Sequence, residues 1–298
     1  MPILKSLVLP HGSNILDPEN FPSYPGCQTL HDKALEGSKT FNQTQYDLIF
    51  LVTPHGHALS KSYCFYLNSS GTGNVDDTKQ YAPYTASLDI DTVTTQSLMK
   101  HLGNECPKTA IESLVSYGDD MKIPLKWAEV IPVWFLNQFP SKAQPKFVIF
   151  SLPHKRLTEG DQMVSEAYLL GKSIYEFLNN SPLKIAVLIS CDLAHTHKIP
   201  GGPEAGTEPY GISEMAEPFD EAIEKWARNP VAHSGMESLL IDAKGMLMKA
   251  LSCGYLGLVM LAAGLKTHVL KGGKIESEVF VRLHPTYFGM MVARFDLL

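Results

Sequence analysis

Residues 146–190 read as an apolar run, an amphipathic stretch and a second apolar run. The outer segments, Lys146–Leu152 (KFVIFSL) and Lys184–Ser190 (KIAVLIS), have the length and β-branched character of buried strands. Between them Met163, Ala167, Leu170, Ile174 and Phe177 recur at spacings of 4, 3, 4 and 3, which lines one face of a helix. A strand, a helix and a strand of this length form a βαβ unit, so the two strands run parallel. Ile3–Leu9 and Leu48–Thr53 are apolar runs of the same kind. The tail alternates Val279, Val281, Leu283 and then Met291, Ala293, Phe295, which predicts two antiparallel strands joined around Pro285. A helix is expected from Pro218 to Arg228, ended by Asn229-Pro230, and one or two helices from Met236 to Leu265. The expected fold is α/β: a central mixed sheet with helices on both faces, in a single domain over residues 1–298. Loops rich in proline and glycine are expected at 12–29, 67–82 and 198–213, with Gly201-Gly202 a turn in the last.

Composition removes several function classes. The 25 basic and 31 acidic residues leave a net charge of −6, the wrong sign for a phosphate backbone, so no nucleic-acid partner is expected. No Lys/Arg run suits an anionic membrane. Met246–Leu265 is the most apolar run, but it contains Lys249, Ser252 and three glycines and reads as a buried helix. The five cysteines are scattered without a CxxC pair, which argues against disulfides or structural zinc and favours a reducing, cytoplasmic setting. The start, MPILKSLVLPHG, lacks the apolar stretch of a signal peptide. No GxGxxG follows a strand, and P-loop, GxSxG and HExxH motifs are absent.

The histidines carry the chemistry. His11, His55 and His195 each follow an apolar strand, the first two in a shared pattern of strand, Pro, His, Gly (LPHG at 9–12, TPHG at 53–56). Proline ends the strand and glycine lets the backbone turn. If the three strands are neighbours with one direction, three imidazoles converge at one sheet edge. His57 and His197 lie two residues further on as supporting donors or solvated loop residues, and His154 follows FSLP as a weaker fourth candidate. His31, His101, His233, His268 and His284 belong to no constellation in the sequence. Two neutral imidazoles and a carboxylate form the facial ligand set of non-haem Fe(II), although imidazole also suits zinc. Asp192 either orients His195 or holds the strand–loop turn, and Cys191 reads as a buried inert thiol. Tyr210 is placed to face a ring; Phe219 reads as core.

These segments, in order, resemble the class III extradiol ring-cleavage dioxygenases, the superfamily of the protocatechuate 4,5-dioxygenase catalytic subunit and the Memo-like proteins. The resemblance spans nearly the whole chain. It rests on LPHGS at 9–13, TPHG at 53–56, CDLAH at 191–195 (Ala194 where the family has serine), EPYGISEMAEPFDEAI at 208–223, CGYLGLVMLAAGL at 253–265 and YFGMMVARF at 287–295. It implies that His11 and His55 hold Fe(II) and that His195 is the acid/base. The implied substrates are dioxygen and a catechol-like or aminophenol-like aromatic, and the implied assembly is a homodimer or a pairing with a related subunit. One departure stands out: the family's glutamate ligand falls where this chain reads Ala250, Leu251, Ser252, Cys253. Glu237, ahead of Asp242 among the upstream carboxylates, is the preferred third ligand because a hard carboxylate suits Fe(II). Cys253 is the alternative, as thiolate is a ligand in some Memo-like relatives; an incomplete site is the third possibility. The rival functions are a non-enzymatic Memo-like scaffold with a vestigial pocket and a zinc hydrolase.

Overall fold

The computed structural model describes residues 2–24, 26–75, 81–118, 121–140, 144–199 and 210–298. Its strands are β1 (Ile3–Leu9), β2 (Leu48–Thr53), β3 (Tyr63–Tyr66), β4 (Ser70–Asn74), β5 (Thr85–Asp89), β6 (Ile111–Leu114), β7 (Ile123–Pro124), β8 (Lys146–Ser151), β9 (Ile185–Ser190), β10 (Ile275–Leu283) and β11 (Met290–Leu297). The α-helices are α1 (Cys27–Phe41), α2 (Thr92–Glu105), α3 (Trp127–Asn137), α4 (Arg156–Glu159), α5 (Val164–Asn179), α6 (Ala216–Arg228), α7 (His233–Glu237), α8 (Lys244–Ala250) and α9 (Tyr255–Leu270).

Eight strands form a mixed sheet in the order β10-β11-β1-β9-β2-β8-β3-β6, and β5-β4-β7 form a smaller one. The four central strands, β1, β9, β2 and β8, are mutually parallel, while β11 and β3 flank them antiparallel. Alternate residues feed opposite layers: Val8, Phe50, Val52, Val148 and Phe150 point into one core, Leu7, Leu9, Ile49, Leu51 and Ile149 into the other. The crossover from β1 to β2 through α1 and that from β8 to β9 through α5 move along the sheet in opposite directions. Right-handed connections of opposite direction must lie on opposite faces. Accordingly α1 buries Leu30, Ala34 and Phe41 in one core, and α5 buries Ala167, Leu170 and Ile174 in the other. Helices on both faces of a mixed sheet match the expectation from sequence. No helix among the described residues is long and apolar enough to cross a membrane.

Two expectations need correction. The 67–82 segment is not wholly loop, since β4 occupies Ser70–Asn74. Its glycines admit a close neighbour: a Cβ on Gly73 would lie 2.3 Å from the Leu125 carbonyl oxygen. The 236–265 segment is broken more than expected. After α7 comes a π-helical turn (Ser238–Ala243), then α8, then a non-helical step before α9. The proposed Gly201-Gly202 turn lies outside the described residues.

That step before α9 positions the site. α8 stops at Leu251, whose φ of 57° is left-handed and unfavourable for a residue with a branched side chain. The chain is then laid against the end of β9. The His195 N–H donates to the Ala250 carbonyl (2.7 Å), and the Ser252 hydroxyl donates to the Asp192 carbonyl (3.1 Å). Gly254 permits this approach, because a Cβ there would meet Cys191 Cα at 2.7 Å. Gly254→Ala is expected to destabilise the fold by about 3 kcal/mol through overpacking against backbone. Chemical denaturation checks this, and an unchanged midpoint would show that the 251–254 step yields freely.

Candidate metal centre

The carboxyl ends of β1, β9 and β2 are adjacent, with Leu9 beside Ser190 and Ile189 beside Val52 in the register. Two residues past β1 stands His11, two past β2 stands His55, and five past β9 stands His195. All three line one cavity of about 460 Å³. This is within the usual range of small-molecule sites, at the sheet edge where parallel α/β folds bind ligands. The His11 and His55 ring centroids are 5.2 Å apart at 80°. Ligand atoms of His11, His55 and Cys253 all lie within 4.8 Å of one another.

Hydrogen bonds fix the tautomer of His11. The Ser190 hydroxyl donates its only proton to the Ala128 carbonyl (2.5 Å), so it must accept from His11 Nδ1–H (2.9 Å). His11 Nε2 therefore carries a bare lone pair. Facing it are Cys253 Sγ at 3.4 Å and Asp192 Oδ2 at 3.3 Å. Two acceptors pressed together in a buried site call for a proton or a cation between them. Burial raises Asp192 to about 7, against the pull of the His11 and Gly12 N–H groups. Removing the serine relay is expected to cost about 10–100-fold in metal affinity, the usual loss when the partner of a ligating histidine is deleted. Isothermal titration of Ser190→Ala with zinc measures it, and wild-type affinity would show that the relay does not set the tautomer.

His55 stacks on Trp127 at the start of α3, with ring centroids 5.1 Å apart at 26°. Its Nδ1 lies 3.4 Å from a guanidinium nitrogen of Arg156. Arg156 is buried and donates also to the carbonyls of Pro153 (3.0 Å) and Cys253 (3.3 Å). It thus pins the Cys253 backbone beside the two histidines. The His195 Nδ1–H donates to the Leu193 carbonyl (3.0 Å), and the Leu251 backbone also hydrogen-bonds the ring. Phe288 stacks near that ring at 5.8 Å, with Tyr287 and Tyr210 at its edges.

Burial is the main cause of every shift here. It lowers His55 to about 3 and His195 to about 4, with the Arg156 charge adding to both. It lowers His11 well below the ordinary range, with His55 and His195 adding to the effect. The imidazoles are neutral at pH 7, as ligation and general-base work require. Burial and then the Asp192 charge raise the Cys253 thiol above its ordinary range, while Arg156 pulls it down.

The structure gathers His11, His55 and His195 but not Glu237. That residue is exposed on α7, as is Asp242 on the following turn, and neither lines the cavity. The helix pair does not fold back over the sheet edge; the step at 251–254 brings Cys253 there instead. Asp192 is the carboxylate nearest the ligand atoms. It serves His11 rather than His195, accepting the His11 N–H at 3.0 Å. His57 turns away to bond the Pro124 carbonyl (2.7 Å), and His154 lines only a shallower neighbouring pocket. Cys191 is buried with its pKa raised by burial, Phe219 is core, and Tyr210 lines the cavity. Arg156, Trp127, Tyr287 and Phe288 were missed by the sequence reading. Arg156 follows β8 in the same strand-end position that flagged the histidines; Trp127 gave no such signal.

No protein-family model and no curated protein matches the sequence. Among solved structures, the chain is similar to the crystal structure of the uncharacterized protein JW3007 from Escherichia coli K12. The likeness covers 98% of this chain and 99% of that one, with a TM-score of 0.57 and 12% identity. At that identity the similarity is one of fold.

Proposed function

We propose that the protein is an Fe(II)-dependent extradiol ring-cleaving dioxygenase acting on a catechol-like or aminophenol-like aromatic. The observation that carries this reading is the convergence of His11, His55 and Cys253 in the lining of an aromatic-walled cavity that also holds His195. The donor set fits a divalent ion: two neutral imidazoles, one with its tautomer set by Ser190, a cysteine, and Asp192 beside them. A bound Fe(II) supplies the dioxygen and one-electron chemistry that side chains lack.

The chain's own residues bind, orient and move protons. Trp127, Tyr287 and Phe288 offer flat apolar walls to a ring. His195 Nε2 accepts a phenolic proton from the substrate and returns it to the product. Its low pKa makes the protonated ring a ready donor for that return. Arg156, buried beside His55, holds a fixed positive charge near any anion formed in the cavity.

The test is oxygen uptake by anaerobically iron-loaded protein across a panel of catechols and aminophenols, with absorbance following a yellow ring-opened product. Uptake matched by product is expected; iron-loaded protein that stays silent across the panel contradicts the proposal. A second reading, a zinc hydrolase, is favoured by the cysteine in place of a hard carboxylate. Zinc as the co-purifying metal, with no oxygen uptake, would select it.

A further inference from the structure

We propose a second divalent-cation site, built by His197, Glu217 and His284, that clamps one wall of the cavity. It is independent of the reaction assigned to the first centre. Ligand atoms of these three residues lie within 4.8 Å of one another. They come from three separate elements: the segment after β9, the first turn of α6, and the turn between β10 and β11.

The surroundings prepare two of the three for an ion. His197 Nε2–H donates to Asp220 Oδ2 at 2.8 Å, and the other oxygen of this fully buried carboxylate accepts the Ala194 N–H at 2.9 Å. This is the carboxylate–histidine arrangement that orients metal-ligating imidazoles. It leaves His197 Nδ1 bare, 4.0 Å from Glu217 Oε2. Arg282 fixes the Glu217 carboxylate by donating to Oε1 at 2.9 Å. Oε2 is then directed at the imidazoles, 3.8 Å from His284 Nε2.

Glu217 Oε2 and His284 Nδ1 are both shielded from solvent and have no hydrogen-bond partner among the described residues. A carboxylate oxygen and an imidazole nitrogen with no partner within hydrogen-bond distance are poorly satisfied until a proton or a cation joins them. Glu217 and Glu224 share the Arg282 guanidinium, Arg228 pairs with Glu224 alone, and the buried Asp220 carboxylate pairs with His197.

The His197 and His284 rings are stacked, with centroids 4.1 Å apart at 6°. Parallel rings cannot both aim in-plane lone pairs at one ion. Binding therefore requires His284 to rotate out of the stack. Among the described residues, the stack on His197 and the Glu217 oxygen at 3.8 Å are what meet that ring, and its side chain is 35% exposed. Two imidazoles and one carboxylate select a borderline transition ion such as Zn(II) or Co(II), not the all-oxygen shell of Ca(II) or Mg(II).

The consequence reaches the cavity. The His197 N–H already donates to the Tyr287 carbonyl (2.9 Å), and Tyr287 and Phe288 follow His284 by three and four residues. An ion at this site ties the residues behind His195 to the turn that carries those two rings.

Co(II) titration of the metal-stripped protein tests this, with bound metal counted by elemental analysis and sulfur ligation read from the near-ultraviolet thiolate charge-transfer band. Cys253→Ser is expected to retain one equivalent with no charge-transfer band. His284→Ala and Glu217→Gln are each expected to lose one equivalent relative to wild type while keeping the band. Cys253→Ser needs no change at the second site, so it decides the question even if the other variants fold poorly. Binding of no Co(II) by Cys253→Ser, or undiminished stoichiometry in folded His284→Ala, overturns the second site. Loss of the band's metal alone would count against the first centre and leave the second intact.

Discussion

Cys253→Ser is expected to lower metal affinity at the sheet edge by more than about a hundredfold and to abolish any metal-dependent turnover. The thiol contributes one of three converging ligands, and losing a ligand costs more than the 10–100-fold typical of losing a ligand's hydrogen-bonding partner. Serine is close in size and keeps a hydroxyl to face the Asp192 carbonyl that the thiol meets at 3.7 Å, and Arg156 and Ser252 hold the step through backbone carbonyls, so the fold is expected to persist. Because burial keeps the thiol protonated in the absence of metal, an ion must displace its proton. Affinity in the wild type is therefore expected to rise about tenfold per pH unit for each proton released, and to lose that component in the serine variant. Glu237→Gln is the matched control and should change neither affinity nor turnover, since Glu237 is exposed away from the cavity. Competition with a chromophoric chelator across pH measures all three proteins. Metal loss in Glu237→Gln but not in Cys253→Ser would reverse the assignment.

His195→Ala is expected to separate chemistry from metal binding. Removing a general acid/base costs about 10²–10⁴-fold in turnover, whereas His11, His55 and Cys253 remain in place to hold the ion. The ring's contacts support this division. Its Nδ1 is committed to the Leu193 carbonyl, and its faces and edges meet Phe288, Tyr287 and Tyr210. The ring lines the cavity in which a substrate would sit. Steady-state oxygen uptake with parallel metal analysis checks the prediction. Loss of metal together with turnover would make His195 a ligand; unchanged turnover would remove it from the mechanism.

What the sequence disclosed and what it hid divide along a physical line. The central strands were legible because each is buried on both faces and so carries an uninterrupted apolar run. Helix α5 was legible because one of its faces is buried and the other is not. His11 and His55 were legible because Pro-His-Gly marks where a strand must stop. Which of Glu237 and Cys253 reaches the two histidines stayed open in the sequence, because it depends on where a helix breaks. Leu251 adopts a left-handed conformation that a branched side chain does not advertise, and Gly254 looks like any helix-start glycine until Cys191 is seen against it. Asp192 was read as orienting His195 or holding a strand–loop turn; its hold on the His11 N–H was not legible, since His11 is distant in sequence and adjacent only through the β1–β9 pairing. His284 seemed isolated for the same reason: its companions His197 and Glu217 reach it from other elements. The short strands β3 to β7 lack long apolar runs, and apart from β4 with β5 their pairing partners lie far along the chain, so local pattern could not reveal them.

The claim on which the rest depends is that His11, His55 and Cys253 share a single ion. X-ray absorption at the zinc edge, on His284→Ala protein loaded with one equivalent of zinc, reads that coordination shell directly. The predicted shell contains imidazole nitrogens at about 2.0–2.1 Å and one sulfur at about 2.3 Å. A shell of nitrogen and oxygen alone, unchanged by Cys253→Ser, would contradict it.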